Sequence, residues 1–248
     1  MTVHIEVDNA AAVVTLAWTA KRNAVGPAEA EALTDALREA GERAPRAVVL
    51  TGEGAFCAGG DLAADAELGR TNLPETIRDV VYGRFQRIVR TLRECLVPTI
   101  AAIDGPAVGL GLDLALACDM RLIGPAGWVQ QGWARAGIVA GTGGIGLAGR
   151  VRPGLIWDLV VAQGKLASDE CARLGVAVPT EGPALAAAVE RAGELARFER
   201  DVLGHYAELD RAENWPSDRH FETVARIQSE LLVADRFQSF AARVLGRA

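Results

Sequence analysis

The apolar positions of the chain follow two rhythms, period two and period 3.6, and their alternation sets the fold class. Residues 3–8 (Val-His-Ile-Glu-Val-Asp) alternate, residues 12–18 carry strand formers, and Asp8-Asn9 between them predicts a hairpin. A polar loop, 19–24, follows. Gly26-Pro27 then opens a helix with Pro at its first position and Glu29 and Glu31 near its positive end. Ala30, Leu33, Leu37 and Ala40 form the buried face of that helix, and Gly41 stops it.

The run 47–51 is apolar and β-branched, a buried strand that ends in a glycine-dense corner. Residues 63–73 are small and polar without periodicity, which predicts a mobile loop. From Pro74, the spacing of Ile77, Val81, Phe85, Ile88 and Leu92 predicts a long amphipathic helix, ended by Pro98. Thr99–Ile103 is a second buried strand, Asp104-Gly105-Pro106 turns into a second glycine-rich corner, and the apolar run through Cys118 reads as a buried helix. Asp119–Ile123 is a third strand. A hinge at 141–144 precedes a short helix, and Ser168-Asp169-Glu170 caps another that Gly175 ends.

Helical patterns over 184–213, 219–232 and 235–246 complete the chain, with a break at Trp215-Pro216-Ser217. Strands alternating with helices imply βαβ crossovers and a largely parallel α/β fold. The expected division is an α/β core, 1–182, and a helical region, 183–248.

Composition narrows the function. With 248 residues, half of them apolar, a sizeable core is available. The net charge of −6 and the lack of any Lys/Arg run argue against nucleic-acid and anionic-membrane binding. The N-terminus lacks a basic region followed by an apolar core, and no apolar run approaches a membrane span, so a cytoplasmic protein is expected. Cys57, Cys95, Cys118 and Cys171 lie far apart without CxxC spacing or a nearby His; reduced thiols and no metal site are expected.

Candidate chemistry lies at the two corners, each at the carboxyl end of a buried strand, where α/β proteins place ligands. At Ala58-Gly59-Gly60-Asp61 the glycines let backbone N–H groups face outward. At Gly109-Leu110-Gly111 a helix begins, so the Leu110 N–H gains from the helix dipole. If the amides of Gly60 and Leu110 converge, they make a two-donor site for an oxygen acquiring negative charge.

Phe56-Cys57-Ala58-Gly59-Gly60-Asp61-Leu62, the run Pro98–Gly111 and Leu114-Ala115-Leu116-Ala117-Cys118-Asp119 together resemble the enoyl-CoA hydratase/isomerase (crotonase) family. Lys21-Arg22-Asn23-Ala24, Gly137–Gly144 and Ala234-Asp235-Arg236-Phe237 resemble further segments of that family, in order and at its spacing. The resemblance implies a spiral of ββα units with a C-terminal helical region, assembled as a homotrimer or a dimer of trimers. It implies an acyl-CoA thioester as substrate, no permanently bound cofactor, and an enolate held on the amides of Gly60 and Leu110. Lys21, Arg22, Ala24, Ala58, Gly59, Asp61, Leu62, Gly109, Trp133 and Gly137 are then the substrate-contacting positions. Asp61 also has a structural reading, accepting loop amides.

Two positions depart from the family pattern. Where family hydratases carry two glutamates around one water, this chain has Asp113 and, counting back from Gly137, Trp133. A carboxylate can exchange protons near neutral pH; an indole cannot, and serves as a donor or a wall. Asp113 as a single acid/base therefore points to isomerisation, decarboxylation or C–C cleavage rather than two-glutamate hydration. The alternatives are a non-catalytic acyl-CoA binder with a degenerate site and a slow hydratase. Asp65, Glu67, Asp79 and Tyr82 are further sources of a missing group; His205, Tyr206 and His220, in the helical tail, read as surface residues. An unrelated nucleotide-binding protein ranks last, for want of a GxGxxG-opened βαβ unit near the N-terminus or a Walker lysine.

Overall fold

In the computed structural model, which describes residues 3–246, a six-stranded sheet has its central strands buried on both faces. The outermost positions of the expected core and helical regions, 1–2 and 247–248, lie outside the described residues. The expected hairpin is β1 (Val3–Asp8) and β2 (Ala11–Leu16), antiparallel, with Val3 opposite Leu16 and Asn9 at φ 54 in the turn. α1 (Pro27–Glu42) buries Ala30, Leu33, Leu37 and Ala40, as the pattern requires, and returns the chain to β3 (Ala47–Gly52), parallel to β2. Alternate β3 residues face opposite ways: Val48 and Leu50 join the main core, whereas Ala47 and Val49 face the other layer.

Residues 63–73 are not a loop. α2 (Leu62–Thr71) forms there because the Asp61 carboxylate accepts the N–H groups of Ala63 (3.1 Å) and Ala64 (3.2 Å), capping a stretch of good helix formers. Its Ala66 and Gly69 are buried, Gly69 against the C-terminal helices. α3 (Pro74–Thr76) passes through a π-helical stretch, Ile77–Tyr82, into α4 (Gly83–Glu94), burying Ile77, Val81, Phe85, Ile88 and Leu92.

Two later strands of the large sheet are each followed by a short strand in a second sheet and then a helix. β4 (Thr99–Ile103) leads to β5 (Pro106–Val108) and α5 (Leu110–Ala117). β6 (Met120–Ile123) leads to β7 (Trp128–Gln130) and α6 (Trp133–Ala136). α7 (Gly144–Val151), α8 (Leu155–Ala162), β8 (Leu166–Ala167), α9 (Ser168–Leu174) and β9 (Val178–Pro179) follow. The large sheet runs β1-β2-β3-β4-β6-β9, parallel from β2 onward; the small one runs β5-β7-β8. These repeating ββα units are the expected fold class.

The expected helix over 184–213 is two helices, α10 (Ala184–Leu195) and α11 (Arg200–Asn214). α10 lays Ala184, Ala188 and Ala192 on the far face of the sheet, and the Asp104 carboxylate accepts the N–H of Ala184 (2.6 Å) and Leu185 (3.0 Å) at its start. α11 instead sends Arg211 inward to Asp119 and to the carbonyls of Arg93, Cys95 and Val97. Different partners for the two segments force the turn between them. α12 (Asp218–Leu232) and α13 (Asp235–Val244) close over α2 and α6. No helix among the described residues is long and apolar enough to cross a membrane.

Candidate active site

The two corners are joined by backbone. Cys57 donates to Pro106 O (2.9 Å) and accepts from Val108 N–H (2.9 Å), a parallel bridge that sets Cys57 beside Ala107. Three residues further along both segments, Gly60 and Leu110 therefore come side by side. Gly59 (φ 112) and Gly109 (φ 54) make the turns in backbone conformations that L side chains rarely adopt.

The direction of the Gly60 amide follows from a second bridge. Val25 N–H donates to Gly59 O (2.9 Å) and Asp61 N–H to Val25 O (3.0 Å), so the intervening Gly60 N–H points away from Val25. It has no acceptor among the described residues. Leu110 N–H, in the first turn of α5, has no intrahelical acceptor either. Both residues line one small cavity of about 20 Å³, shared with Asp65, Tyr82, Trp133, Thr142 and Gln228.

A larger open cavity of about 550 Å³ adjoins the corners. Lys21, Arg22, Ala24, Ala58, Gly59, Gly60, Asp61, Leu62, Gly109 and Trp133 line it, so the structure brings these expected positions together. Gly137 lies outside that lining, at the C-terminus of α6 with φ 80, packed against the Arg236 side chain. Lys21 is engaged by Glu29 (2.8 Å) and Asp61 (3.2 Å), and these partners raise its pKa against the opposing effect of burial. Arg22 and Arg135 face the cavity exposed and without a carboxylate partner among the described residues. Such cations suit the phosphates of an anionic ligand.

Asp113 is 3% exposed. Its carboxylate accepts the Thr142 hydroxyl, and burial pushes its pKa up to about 7, against the opposing effects of Thr142 and Trp133. It opens into a third cavity of about 210 Å³, otherwise largely apolar, walled by Leu112, Leu116, Ile145, Ile156 and Leu159 among others. Trp133 lines all three cavities, its indole against Gly109, where a Cβ would come within 3.3 Å of the ring. The buried indole N–H closes no hydrogen bond of normal geometry, although it lies near enough to Asp113 to favour the charged carboxylate. Asp113 thus faces a different chamber from the paired amides.

The enoyl-CoA hydratase/isomerase family model matches residues 6–233. The chain belongs to that family. A probable enoyl-CoA hydratase, echA6, of Mycobacterium bovis is 31% identical over 224 residues, 87% of each chain. A second, echA14 of Mycobacterium tuberculosis, is 34% identical over 203 residues, 80% of this chain and 77% of that one. The enoyl-CoA hydratase of Bacillus halodurans shares the fold, with a TM-score of 0.87 at 19% identity over 97% of this chain and 99% of that one.

The family acts on CoA thioesters. The structure adds Arg135 from α6, and Phe237 and Phe240 from α13, to the large cavity; sequence reasoning missed all three. The i, i+3 pair Phe237/Phe240 was the available signal. Among the other residues singled out, Asp65 and Tyr82 reach the small cavity. Glu67 and Asp79 are exposed and paired with Arg70 and Arg78. His205 and Tyr206 are exposed, whereas His220 accepts the Gly146 N–H at the start of α7 (3.2 Å). No cluster of three or more His, Cys, Asp or Glu that could hold a metal occurs among the described residues.

Proposed function

We propose that this acyl-CoA enzyme forms a thioester enolate on the amides of Gly60 and Leu110, with Asp113 as acid/base. The observation that carries the reading is the side-by-side pair of N–H donors, neither with an acceptor among the described residues. When a proton leaves the acyl chain, charge moves to the thioester oxygen between them. One such donor is typically worth about 10²–10³ in rate. Arg22 and Arg135 suit the CoA phosphates, and the 210 Å³ cavity suits the acyl chain. Asp113, with its pKa about 7, is poised to exchange a proton with a carbon of that chain. Isomerisation, decarboxylation or C–C cleavage fits this arrangement better than hydration. Trp133 stands where the family resemblance puts a second glutamate, and it offers no second proton acceptor.

The test is a panel of acyl-CoA esters with wild type and Asp113→Asn. The expected outcome is at least a 100-fold loss of turnover with binding by calorimetry within a few-fold of wild type. Unchanged turnover of every active ester would sink the Asp113 role. A second reading, a non-catalytic acyl-CoA binder, is favoured by the indole that separates Asp113 from the amides. Tight binding with no turnover anywhere in the panel would select it. Assembly as a trimer or a dimer of trimers completes the proposal, supported by apolar Val202, Tyr206 and Leu209 left exposed on α11. Light scattering reads the mass, and a monomer refutes this part.

A further inference from the structure

Asp65 is the least explained carboxyl of the molecule. It lies one helical turn into α2, four residues after the cap Asp61, so both carboxyls share one face. A Cβ added to Gly60 would lie 2.7 Å from Asp65 Oδ2, which puts that oxygen directly beside one of the paired amides. Its side chain makes no hydrogen bond or ion pair among the described residues, and it is half-buried, lining both the large cavity and the small one. Burial and then the Asp61 charge push its pKa up to about 7.

What surrounds Asp65 can serve both of its protonation states. Gln228 is 3% exposed and its Oε1 has no partner. Tyr82 is buried, and burial together with the Asp65 charge raises its pKa well above 10, so the phenol keeps its proton. Both pack onto Gly141, where any side chain would overlap Gln228 Oε1 and the Tyr82 ring. The cavity they share with Asp65, Gly60 and Leu110 is about the size of one water. A carboxylate there can accept from Tyr82; a carboxylic acid can donate to Gln228.

We infer that Asp65 is a further catalytic group of this site, removing and returning the proton at the acyl α-carbon beside the Gly60 amide. The inference rests on the reading that the Gly60 and Leu110 amides hold the thioester oxygen. In the step, the Cα–H bond breaks and its proton joins Asp65. The bonding pair forms the Cα=C bond of the enolate, and the carbonyl π pair moves to the oxygen between the two amides. Reversal returns the proton, so no co-reactant is needed. Asp113 lines a different cavity from Asp65, and Trp133 borders both. The two carboxyls therefore serve different carbons of the acyl chain rather than one hydration.

Butyryl-CoA in D₂O tests this directly, with α-deuterium read by mass spectrometry of the recovered thioester. Wild type should exchange, with a rate that rises with pH through a midpoint near the Asp65 value of about 7. Asp65→Asn should lose at least 100-fold in exchange while binding butyryl-CoA within threefold, and the exposed control Glu67→Gln should match wild type. Asp61→Asn keeps a cap but removes the charge that acts on Asp65 and not on Asp113, so the midpoint should move to lower pH. An Asp65→Asn variant exchanging at the wild-type rate overturns the inference and leaves the enolate reading standing. Should that variant fail to fold, an unmoved midpoint in Asp61→Asn overturns it just as well. Wild type that binds butyryl-CoA without exchange overturns the enolate reading, and this inference with it.

Discussion

At Asp113 the fold holds a carboxyl whose ionisation burial opposes, and this has a consequence for stability that is separate from catalysis. Its pKa is about 7 in the folded chain and roughly 4 when unfolded. The folded state therefore binds the proton more tightly, and the associated stability is complete below about pH 4 and lost as pH rises through about 7. Asp113→Asn removes the titration while leaving an oxygen for the Thr142 hydroxyl. The variant should melt a few degrees above wild type at pH 8, a gain that shrinks towards pH 5; calorimetry at the two pH values measures it. Asp113 and Trp133 were legible through the family resemblance, as the residues standing at its two glutamate positions. That the indole lies between Asp113 and the amides was not, because it depends on how closely the ring can approach the bare Gly109 backbone. Asp65 was named only as one of four further sources of a missing group, because its direction depends on a helix that the sequence reading did not expect.

Among the elements, the long and strongly periodic ones were legible: the hairpin, α1, the buried strands β3 and β4, and the stripe from Ile77 to Leu92. The errors have separate physical causes. α2 lacks a broad apolar stripe, so periodicity was silent, and the signal was local: an Asp at the cap followed by Leu-Ala-Ala-Asp-Ala-Glu-Leu. The break between α10 and α11 was invisible because their buried stripes stay in phase. Ala192 and Leu203 stand about three turns apart, as they would on one continuous helix. Of the short strands, β5 was absorbed into the second corner and β7 was not read at all, although β5 carries the Cys57 bridge that aligns the two amides.

The whole molecule carries a net charge of −6, yet the mouth of the cavity beside the two corners presents two cations, Arg22 and Arg135, without a carboxylate partner among the described residues. A ligand with several phosphates must be captured locally against an unfavourable overall field. Arg22→Ala combined with Arg135→Ala should weaken butyryl-CoA binding on the order of tenfold, with less loss at high salt. Butyryl-pantetheine, which keeps the thioester but lacks the nucleotide, should bind the variant and wild type alike in calorimetry. Equal losses for both ligands would remove these arginines from phosphate recognition.

The Trp133 indole is a party wall of three rooms. Any replacement alters the entrance, the amide chamber and the acyl chamber together, so this position is poorly suited to gradual change in substrate preference. With the acyl chain in the distal room, as proposed above, adjustment for its length falls instead to Ile145, Ile156 and Leu159, which border that room without lining the other two. Substitutions there can reshape what the enzyme accepts while the machinery near the thioester stays as it is.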